Sequence, residues 1–271
     1  MTGGSRLVRS EQPFAENYRL MKINDTQFSL LKQLVHRESG INLEGKPQLV
    51  ETRLAKRFRK IGPMSIDDYI CLLQTDPVEL TSFVDIIATT HTFFFRENKT
   101  FAYLDRQRSR SIWCAACASG EEPYSIIIHC LEQGFLPEVL ATDISSEILL
   151  KAERGVYTQD RLRHMSESLV NRYFMPEKVA GTTRYKIKPR VRNAVVFDRS
   201  NLLTDDVPER KFDVIFCRNV MIYFDLPTKE KIVEKMYYAL KPGGYFIIGG
   251  AESLSIVEHK FTFVSPSVYQ R

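Results

Sequence analysis

Cysteine is scarce in this sequence. The 271 residues contain five cysteines, an odd number that does not suit the disulfide framework of a secreted protein. Cys114 and Cys117 form a CxxC pair, but no second pair and no histidine at ligand spacing accompanies them. We therefore expect these thiols to be small buried residues in a tight turn, and we expect no metal site.

Membrane-spanning and secretory patterns are also missing. No stretch reaches the roughly 20 apolar residues that cross a bilayer, and residues 1–20 lack the apolar core of a signal peptide. This polar start is expected to be disordered. The sequence predicts a cytoplasmic protein that does not insert into a membrane.

Two common phosphate-binding motifs are absent where the sequence offers a ligand loop. The stretch WCAACASGEEPYS, residues 113–125, joins an apolar segment to a helical one, but it has neither GxGxxG nor a Walker lysine. Its small residues and Gly120 allow a ligand close to the backbone, and Glu121 and Glu122 follow directly. Acidic residues there favour a ligand with a cationic end over a dinucleotide or a nucleoside triphosphate.

An acidic residue stands where a nucleoside ligand needs one. Asp143 ends a predicted strand about 20 residues after Gly120, a position from which an acid can hold ribose hydroxyls. A helix cap before SSEIL explains Asp143 equally well when the residue is taken alone. Together with the loop, Asp143 predicts a nucleoside with a positively charged tail and no phosphates, a description that S-adenosylmethionine meets.

The hydrophobic pattern divides the chain into two parts. Apolar residues at helical spacing predict helices at 24–40, 47–60, 65–75 and 77–88. From residue 111, the apolar stretches SIWCA, EVLATD, AVVFDRS, FDVIFCR and GYFIIGG alternate with helical segments, which is typical of a doubly wound parallel sheet. We expect a helical domain at 21–90, a linker at 91–110 and an α/β domain at 111–271.

A segment at about 156–193 interrupts this alternation. VNRYFM and TTRYKIKPRVR look like two strands joined by a turn at Gly181. Period two would place the basic residues of the second strand on one face, and Pro189 would confine that strand to a sheet edge. This basic face suits either a docking surface or an exposed edge that charge protects from aggregation.

A second basic stretch, KPQLVETRLAKRFRK, covers residues 46–60. Its spacing brings Arg53, Lys56, Arg57 and Lys60 near one helix face. The net charge of the chain is +5, and such stretches suit an acidic partner, whether nucleic acid, membrane or protein, although a charged stretch is more often a solvated surface.

Six motifs resemble those of the chemotaxis receptor methyltransferases, the CheR family, and occur in that family's order. They are TTHTFFFRE (89–97), GEEPYS (120–125), ATDIS (141–145), SNLL (200–203), FDVIFCRNVMIYFD (212–225) and LKPGGYFIIGGAESL (240–254). With the helical start, the resemblance covers about residues 25–255. It implies an α/β fold, a Rossmann-like doubly wound S-adenosylmethionine methyltransferase domain with a small antiparallel β insertion, preceded by an all-helical N-terminal domain.

The resemblance also implies an activity. The enzyme would transfer a methyl group from S-adenosylmethionine to glutamate side chains of methyl-accepting chemotaxis receptors, giving glutamyl methyl esters and S-adenosylhomocysteine. A glutamate carboxylate is ionised at neutral pH and is itself the nucleophile, so no general base is required.

The implied partners are the acidic methylation regions of the receptors' cytoplasmic helices. The helical domain would contact them through Arg53, Lys56, Arg57, Arg59 and Lys60. In some family members the inserted sheet binds a receptor C-terminal peptide by strand addition, and the sequence does not decide whether this chain does so. We expect a monomer.

The resemblance assigns site residues at the matching positions. Arg96 and Tyr223 would be catalytic, although Arg96 could instead grip the cofactor's carboxylate and Tyr223 could simply pack. The cofactor-binding residues would be Thr90, Thr92, Arg96, Glu121, Glu122, Asp143, Asn201, Leu202, Arg218 and Asn219. Which of Glu121 and Glu122 faces the ligand stays open, and Thr90 departs from the family's usual asparagine. An ordinary core helix is the alternative interpretation of FFFRE.

Two other classes of function compete with this interpretation. The basic stretches also fit a nucleic-acid methyltransferase, but RNVMIY lacks the [DN]PP[YF] pattern of amino-group methylation of bases. A non-catalytic module that senses the cofactor or scaffolds receptors is the other alternative, against which the intact Arg96, Asp143, Asn201 and Tyr223 argue. The sequence favours an enzyme, and we do not expect nucleic acid as a partner.

Overall fold

The chain folds into a helical domain followed by an α/β domain. The computed structural model describes residues 22–107, 110–179 and 181–271, and the predicted disordered start lies outside these residues. The helices of the first domain are α1 (Asp25–Ser39), α2 (Pro47–Ile61), α3 (Ile66–Thr75) and α4 (Pro77–Ile87). All four predicted helices are thereby confirmed.

Capping residues explain where these helices begin and end. The Asn24 side chain accepts a hydrogen bond from the Gln27 backbone N–H, and Gln27 reciprocates in a capping box. Gly40 ends α1 in the left-handed region with φ 73°. Pro47 and Pro77 occupy first-turn positions, where a missing N–H costs nothing.

The helical domain has its own core. Tyr69 is fully buried, and its ring packs edge-to-face against Phe58 and Phe83 at centroid distances of 5.0 and 5.6 Å. Its hydroxyl donates to Glu79 at 2.6 Å, and Arg57 donates to the same carboxylate. The polar end of a large core side chain is thus satisfied.

The α/β domain is built on a seven-stranded sheet. Its strands are β1 (Ser111–Ala115), β2 (Glu138–Asp143), β6 (Val195–Arg199), β7 (Phe212–Phe216), β8 (Leu240–Ile247), β9 (Thr262–Ser265) and β10 (Val268–Gln270). Their order is β6-β2-β1-β7-β8-β10-β9, in which β10 runs antiparallel to both neighbours and the other pairs are parallel. The carboxyl ends of β1, β2 and β7 therefore meet at one edge, where doubly wound folds bind ligands.

Helices cover both faces of this sheet. They are α5 (Ala102–Gln107), α6 (Glu121–Glu132), α7 (Ser146–Arg154) and α10 (Leu226–Ala239). The five predicted strands are confirmed, with β8 beginning at Leu240 instead of Gly244. The helix α6 begins at Glu121, so both glutamates lie in its first turn.

The inserted subdomain, residues 156–193, holds a separate antiparallel sheet. It contains β3 (Val156–Tyr157), α8 (Glu167–Tyr173), β4 (Phe174–Val179), β5 (Thr182–Ile187) and α9 (Pro189–Arg192). The strand order is β3-β5-β4.

Two predictions for this subdomain were wrong. Residues 170–173 are helical because Ser166 caps α8, its side chain accepting a hydrogen bond from Leu169 N–H. The basic strand ends at Ile187 because Pro189 starts α9, and β5 is the central strand of its sheet. Only Arg184 and Lys186 therefore share the predicted basic strand face.

The described residues contain no helix that could span a membrane. The same residues show no cluster of histidine, cysteine and acidic side chains that could hold a metal ion. Cys114 and Cys117 are buried free thiols, and burial raises the pKa of both well above the usual range. They pack as small side chains.

Candidate active site

A cavity of about 310 Å³ lies between the two domains at the carboxyl edge of the sheet. The α/β domain contributes the turn after β1, the end of β2 and the loop after β7. The helical domain contributes the ends of α1 and α4 and the start of α2. The cavity is lined by the predicted site residues Thr90, Thr92, Arg96, Glu122, Asp143, Leu202, Arg218, Asn219 and Tyr223.

The turn after β1 follows an unusual backbone path. Ala116, Ala118 and Gly120 all have positive φ, at 69°, 49° and 89°. Alanine is uncommon in this region, which costs a residue with a Cβ roughly 1 kcal/mol. A side chain at Gly120 would come within 2.9 Å of the Ala152 Cβ atom. Backbone conformation and packing therefore both favour glycine at position 120.

Asp143 joins this turn to the end of β2. Its Oδ2 accepts a hydrogen bond from the Ala118 N–H at 2.9 Å, and its Oδ1 accepts one from the Ser145 N–H at 3.0 Å. Asp143 as a whole residue is 7% exposed, and burial raises the pKa of its carboxyl although the backbone hydrogen bonds oppose that shift. A carboxylate has more lone pairs than its backbone hydrogen bonds use here, so Asp143 can still accept a hydrogen bond from a ligand hydroxyl.

The two glutamates of α6 face different surroundings. Glu122 lines the cavity, whereas Glu121 points toward the inserted subdomain and is 1% exposed. The Glu121 Oε2 atom accepts a hydrogen bond from Ser119 Oγ at 2.6 Å. The prediction named both as cofactor contacts, and the structure brings only Glu122 to the cavity, because successive helical residues point in different directions.

Arg218 connects α6 to the segment around Arg96 and Glu97 by hydrogen bonds. It donates to Glu122 through Nη1, and through Nη2 to Glu97 Oε2 at 3.0 Å and to the Arg96 carbonyl at 2.7 Å. The side chain is 2% exposed. Burial lowers its pKa, but the two carboxylates outweigh this effect and raise it. Arg218 is thus a fixed cation within a network of buried charges.

The strap, residues 90–96, crosses from the helical domain to the sheet. It is not the core helix considered as an alternative, because residues 91–93 have no regular secondary structure and residues 94–97 form turns, with Phe95 at φ 57°. The Phe95 N–H donates to Ser125 Oγ on α6 at 2.9 Å. Thr90, Thr92 and Arg96 consequently line the cavity from one short segment.

Tyr223 is held by both domains. Its carbonyl accepts a hydrogen bond from the Asn42 N–H at 2.7 Å, and Ile41 forms a bridge with Phe224. The Lys46 Nζ atom lies 5.8 Å from the centre of the Tyr223 ring. Within the described residues, the Tyr223 hydroxyl has no hydrogen-bond partner and Lys46 has no carboxylate partner. Both groups remain available to a ligand.

Two predicted residues differ in how they relate to the cavity. Asn201 is buried outside the lining, where its side chain donates to the Glu38 carbonyl at 2.7 Å and accepts from the Leu203 N–H at 3.0 Å. It thereby shapes the turn that presents Leu202. Asn219 lines the cavity in a left-handed conformation with φ 58°.

Three residues near the site were missed by the sequence reasoning. Glu252 accepts hydrogen bonds from the N–H groups of Asn219 at 2.8 Å and Gly249 at 2.6 Å, while Glu97 accepts from Gly250 N–H at 2.8 Å. Both lie within motifs quoted for the resemblance, so their position next to assigned residues was the available signal. Lys46 lines the cavity from the basic stretch, where nothing distinguished it from the other cations.

The basic residues of α2 do not form one free surface. Arg57 is paired with Glu79 inside the helical domain, and Lys60 Nζ lies 3.1 Å from Glu147 on α7. Arg53 is half-buried, and Lys56 and Arg59 are exposed. The basic face that helical spacing predicted is therefore only partly free, because Arg57 and Lys60 pair with acidic residues of other elements.

The side chains that line the cavity match the chemical groups of S-adenosylmethionine. Asp143 offers acceptors for ribose hydroxyls, the apolar Leu202 offers a surface for a base, and Arg96 offers a cation for a carboxylate. The loop at residues 113–125 has neither a Walker lysine nor a glycine-rich phosphate cradle that would compete with this assignment.

Comparison with known proteins also indicates a methyltransferase. Residues 26–88 match the family model "CheR methyltransferase, all-alpha domain", and residues 90–270 match "CheR methyltransferase, SAM binding domain". The chemotaxis protein methyltransferase of Klebsiella aerogenes is 35% identical, covering 96% of this chain and 94% of that protein. The one from Escherichia coli is also 35% identical, covering 92% of each. Chemotaxis protein methyltransferase 2 of Pseudomonas aeruginosa is 36% identical, covering 89% of this chain and 91% of that protein.

Fold, cavity and matches together define an S-adenosylmethionine-dependent methyltransferase. The chain belongs to the CheR methyltransferase family, and the predicted cofactor and fold class are thereby confirmed.

Proposed function

We propose that this enzyme methylates glutamate side chains of chemotaxis receptors, releasing glutamyl methyl esters and S-adenosylhomocysteine. The names of its relatives support a chemotaxis substrate. The observation that carries the carboxylate acceptor is the placement of Lys46 beside the Tyr223 ring on the cavity. An anionic acceptor is attracted to this cation, whereas a neutral amine gains nothing from it.

Methyl transfer to a carboxylate depends on alignment of the acceptor oxygen with the methyl group more than on proton transfer. When bound, S-adenosylmethionine supplies an electrophilic methyl group. A glutamate with its ordinary pKa of about 4.3 is ionised at neutral pH and needs no base. Tyr223 donates a hydrogen bond that orients the acceptor, and the cavity walls exclude water, effects worth several kcal/mol in general.

The cofactor assignments follow the lining of the cavity. Asp143 accepts the ribose hydroxyls and Leu202 contacts the base. Thr90, Thr92 and Arg96 hold the amino-acid end from the strap. Glu122 and Asn219 would face the cationic part of the bound cofactor, and Arg218 would act by fixing Glu122. Thr90 retains a hydroxyl that replaces one donor of the family's usual asparagine side chain.

Receptor recognition is proposed for the exposed cations of α2. Lys56 and Arg59 are open to an acidic helix, and Arg53 lies beside them. The outer edge of β4 pairs with no strand in the described part of the chain, which suits addition of a receptor C-terminal peptide. We further propose that the enzyme acts as a monomer in the cytoplasm, where the acceptor helices lie.

Methyl transfer from radiolabelled cofactor to receptor-containing membranes tests this proposal. Glutamyl esters release labelled methanol in alkali, whereas N-methyl products do not. The expected result is base-labile label on receptors that disappears when acceptor glutamates are replaced by alanine. Base-stable label, or transfer to DNA or RNA instead of receptor, would refute the proposed acceptor. A Lys46→Met variant should raise KM for receptor without weakening cofactor binding.

A further inference from the structure

The inserted subdomain contacts the back of the cofactor loop through one short segment. Tyr157 on β3 donates from its hydroxyl to the Ser119 carbonyl at 2.8 Å. Four residues further on, Arg161 lies in a 3₁₀ turn (Gln159–Leu162). Its carbonyl accepts a hydrogen bond from the Phe94 N–H at 3.3 Å. The segment therefore touches both the loop and the strap.

Arg161 links the strap to the start of α6. Its Nη1 atom donates to the Thr92 carbonyl of the strap and lies 3.6 Å from Glu121 Oε1 at the start of α6. That Oε1 atom is buried and has no hydrogen-bond partner within the described residues. Arg161 is thus the nearest cation for a carboxylate that is 1% exposed, and removal of such a cation leaves an uncompensated buried charge.

We propose that Arg161 is a positioning residue for the cofactor. Through its hydrogen bond to the Thr92 carbonyl and its ion pair with Glu121, it holds the strap and the loop at the spacing that the cofactor requires. Glu121 does not reach the cavity, and its role is to fix Arg161 through the ion pair. The inserted subdomain thereby sets cofactor affinity in addition to any partner it binds. The proposal rests on the cofactor site and not on the identity of the methyl acceptor.

Calorimetry with S-adenosylhomocysteine on the full chain tests it without any acceptor. Arg161→Ala should weaken affinity about tenfold, within the range of coupling seen between contacting residues, and Arg161→Lys, which keeps the charge but not the fork, should lose less. In a Glu121→Gln background the same alanine change should cost about threefold, since an amide needs no counter-ion. Cofactor KM should rise while kcat at saturating cofactor is retained.

Arg172 provides the matched control. It also joins the inserted subdomain to α6, with Nη1 2.7 Å from Glu132 Oε1, but at the end of α6 away from the cavity. Arg172→Ala should leave affinity unchanged. Unchanged affinity in a folded Arg161→Ala protein, equal losses in both Glu121 backgrounds, or an equal loss in Arg172→Ala would each overturn the proposal. Melting temperatures of the ligand-free variants establish that they are folded.

Discussion

Arg57 on α2 grips Glu79 on α4 with two nitrogens, and its Nε lies 2.8 Å from Glu79 Oε1. Burial acts to raise the pKa of Glu79, but hydrogen bonds from Arg57 and Tyr69 outweigh it and the pKa is lowered. Arg57→Ala should reduce the free energy of unfolding by about 2–3 kcal/mol, because it leaves the Glu79 carboxylate buried without its cation. Urea denaturation measures this loss.

Lys56 is the control for this variant, since it is the exposed neighbour of Arg57 on the same helix. Lys56→Ala should change the free energy of unfolding by less than about 0.5 kcal/mol. A similar small loss in Arg57→Ala would mean that the pair contributes little to the fold.

Asp143 should dominate binding of the ribose. Asp143→Ala removes a charged acceptor and should weaken cofactor affinity at least about tenfold, as expected for hydrogen bonds to a charged group. Titration calorimetry gives the affinity, and circular dichroism establishes the fold. An unchanged affinity would contradict the placement of the ribose at Asp143.

Cofactor affinity should also depend on pH through Asp143. Burial raises its pKa above the ordinary 3.8, so the carboxylate takes up a proton at a higher pH than a solvated aspartate. Because a protonated carboxyl is a poorer acceptor, affinity should fall as the pH drops through this raised pKa. Burial raises the pKa of Glu122 as well, so both groups contribute. Asp143→Asn should bind more weakly, and its affinity should change less over the same pH interval.

Glu252 should affect turnover more than binding. Its carboxylate holds the N–H groups of Asn219, Gly249 and, at 3.3 Å, Ile222, and so fixes the loop that carries Tyr223. Glu252→Ala should lower kcat about tenfold, since loss of alignment at a reacting centre is costly, and Glu252→Gln should retain part of the activity. The exposed Glu258 is the control. Equal kcat values in Glu252→Ala and Glu258→Ala would exclude this role.

Receptor recognition is best tested at Lys56 and Arg59. Charge reversal at both positions should raise KM for receptor about tenfold, through loss of long-range attraction and local complementarity. Cofactor affinity and the melting temperature should be preserved. The effect should shrink at high ionic strength. A receptor KM that does not respond to either charge or salt would place the acceptor contact elsewhere.

The sequence predicted elements better than it predicted contacts. Helix boundaries followed from local signals such as Asn24 and Gly40, and the strands from apolar stretches between helices. The ion pair of Arg57 could not be predicted, because its partner Glu79 lies on another helix that only tertiary packing brings near. Pro189 misled for a related reason, since a proline at a strand end and a proline at a helix start have the same local pattern. Motifs located most of the cavity, but not which of Glu121 and Glu122 points into it.

The shared cavity has a consequence for how this enzyme can be divided. Ile41, Leu43 and Leu49 of the first family segment and Leu202 and Tyr223 of the second line the same space. Neither segment therefore forms the pocket alone, and the interface between the two segments is part of the site. A genetic exchange that replaced one segment by that of a distant relative would join two half-pockets whose surfaces had never been selected together.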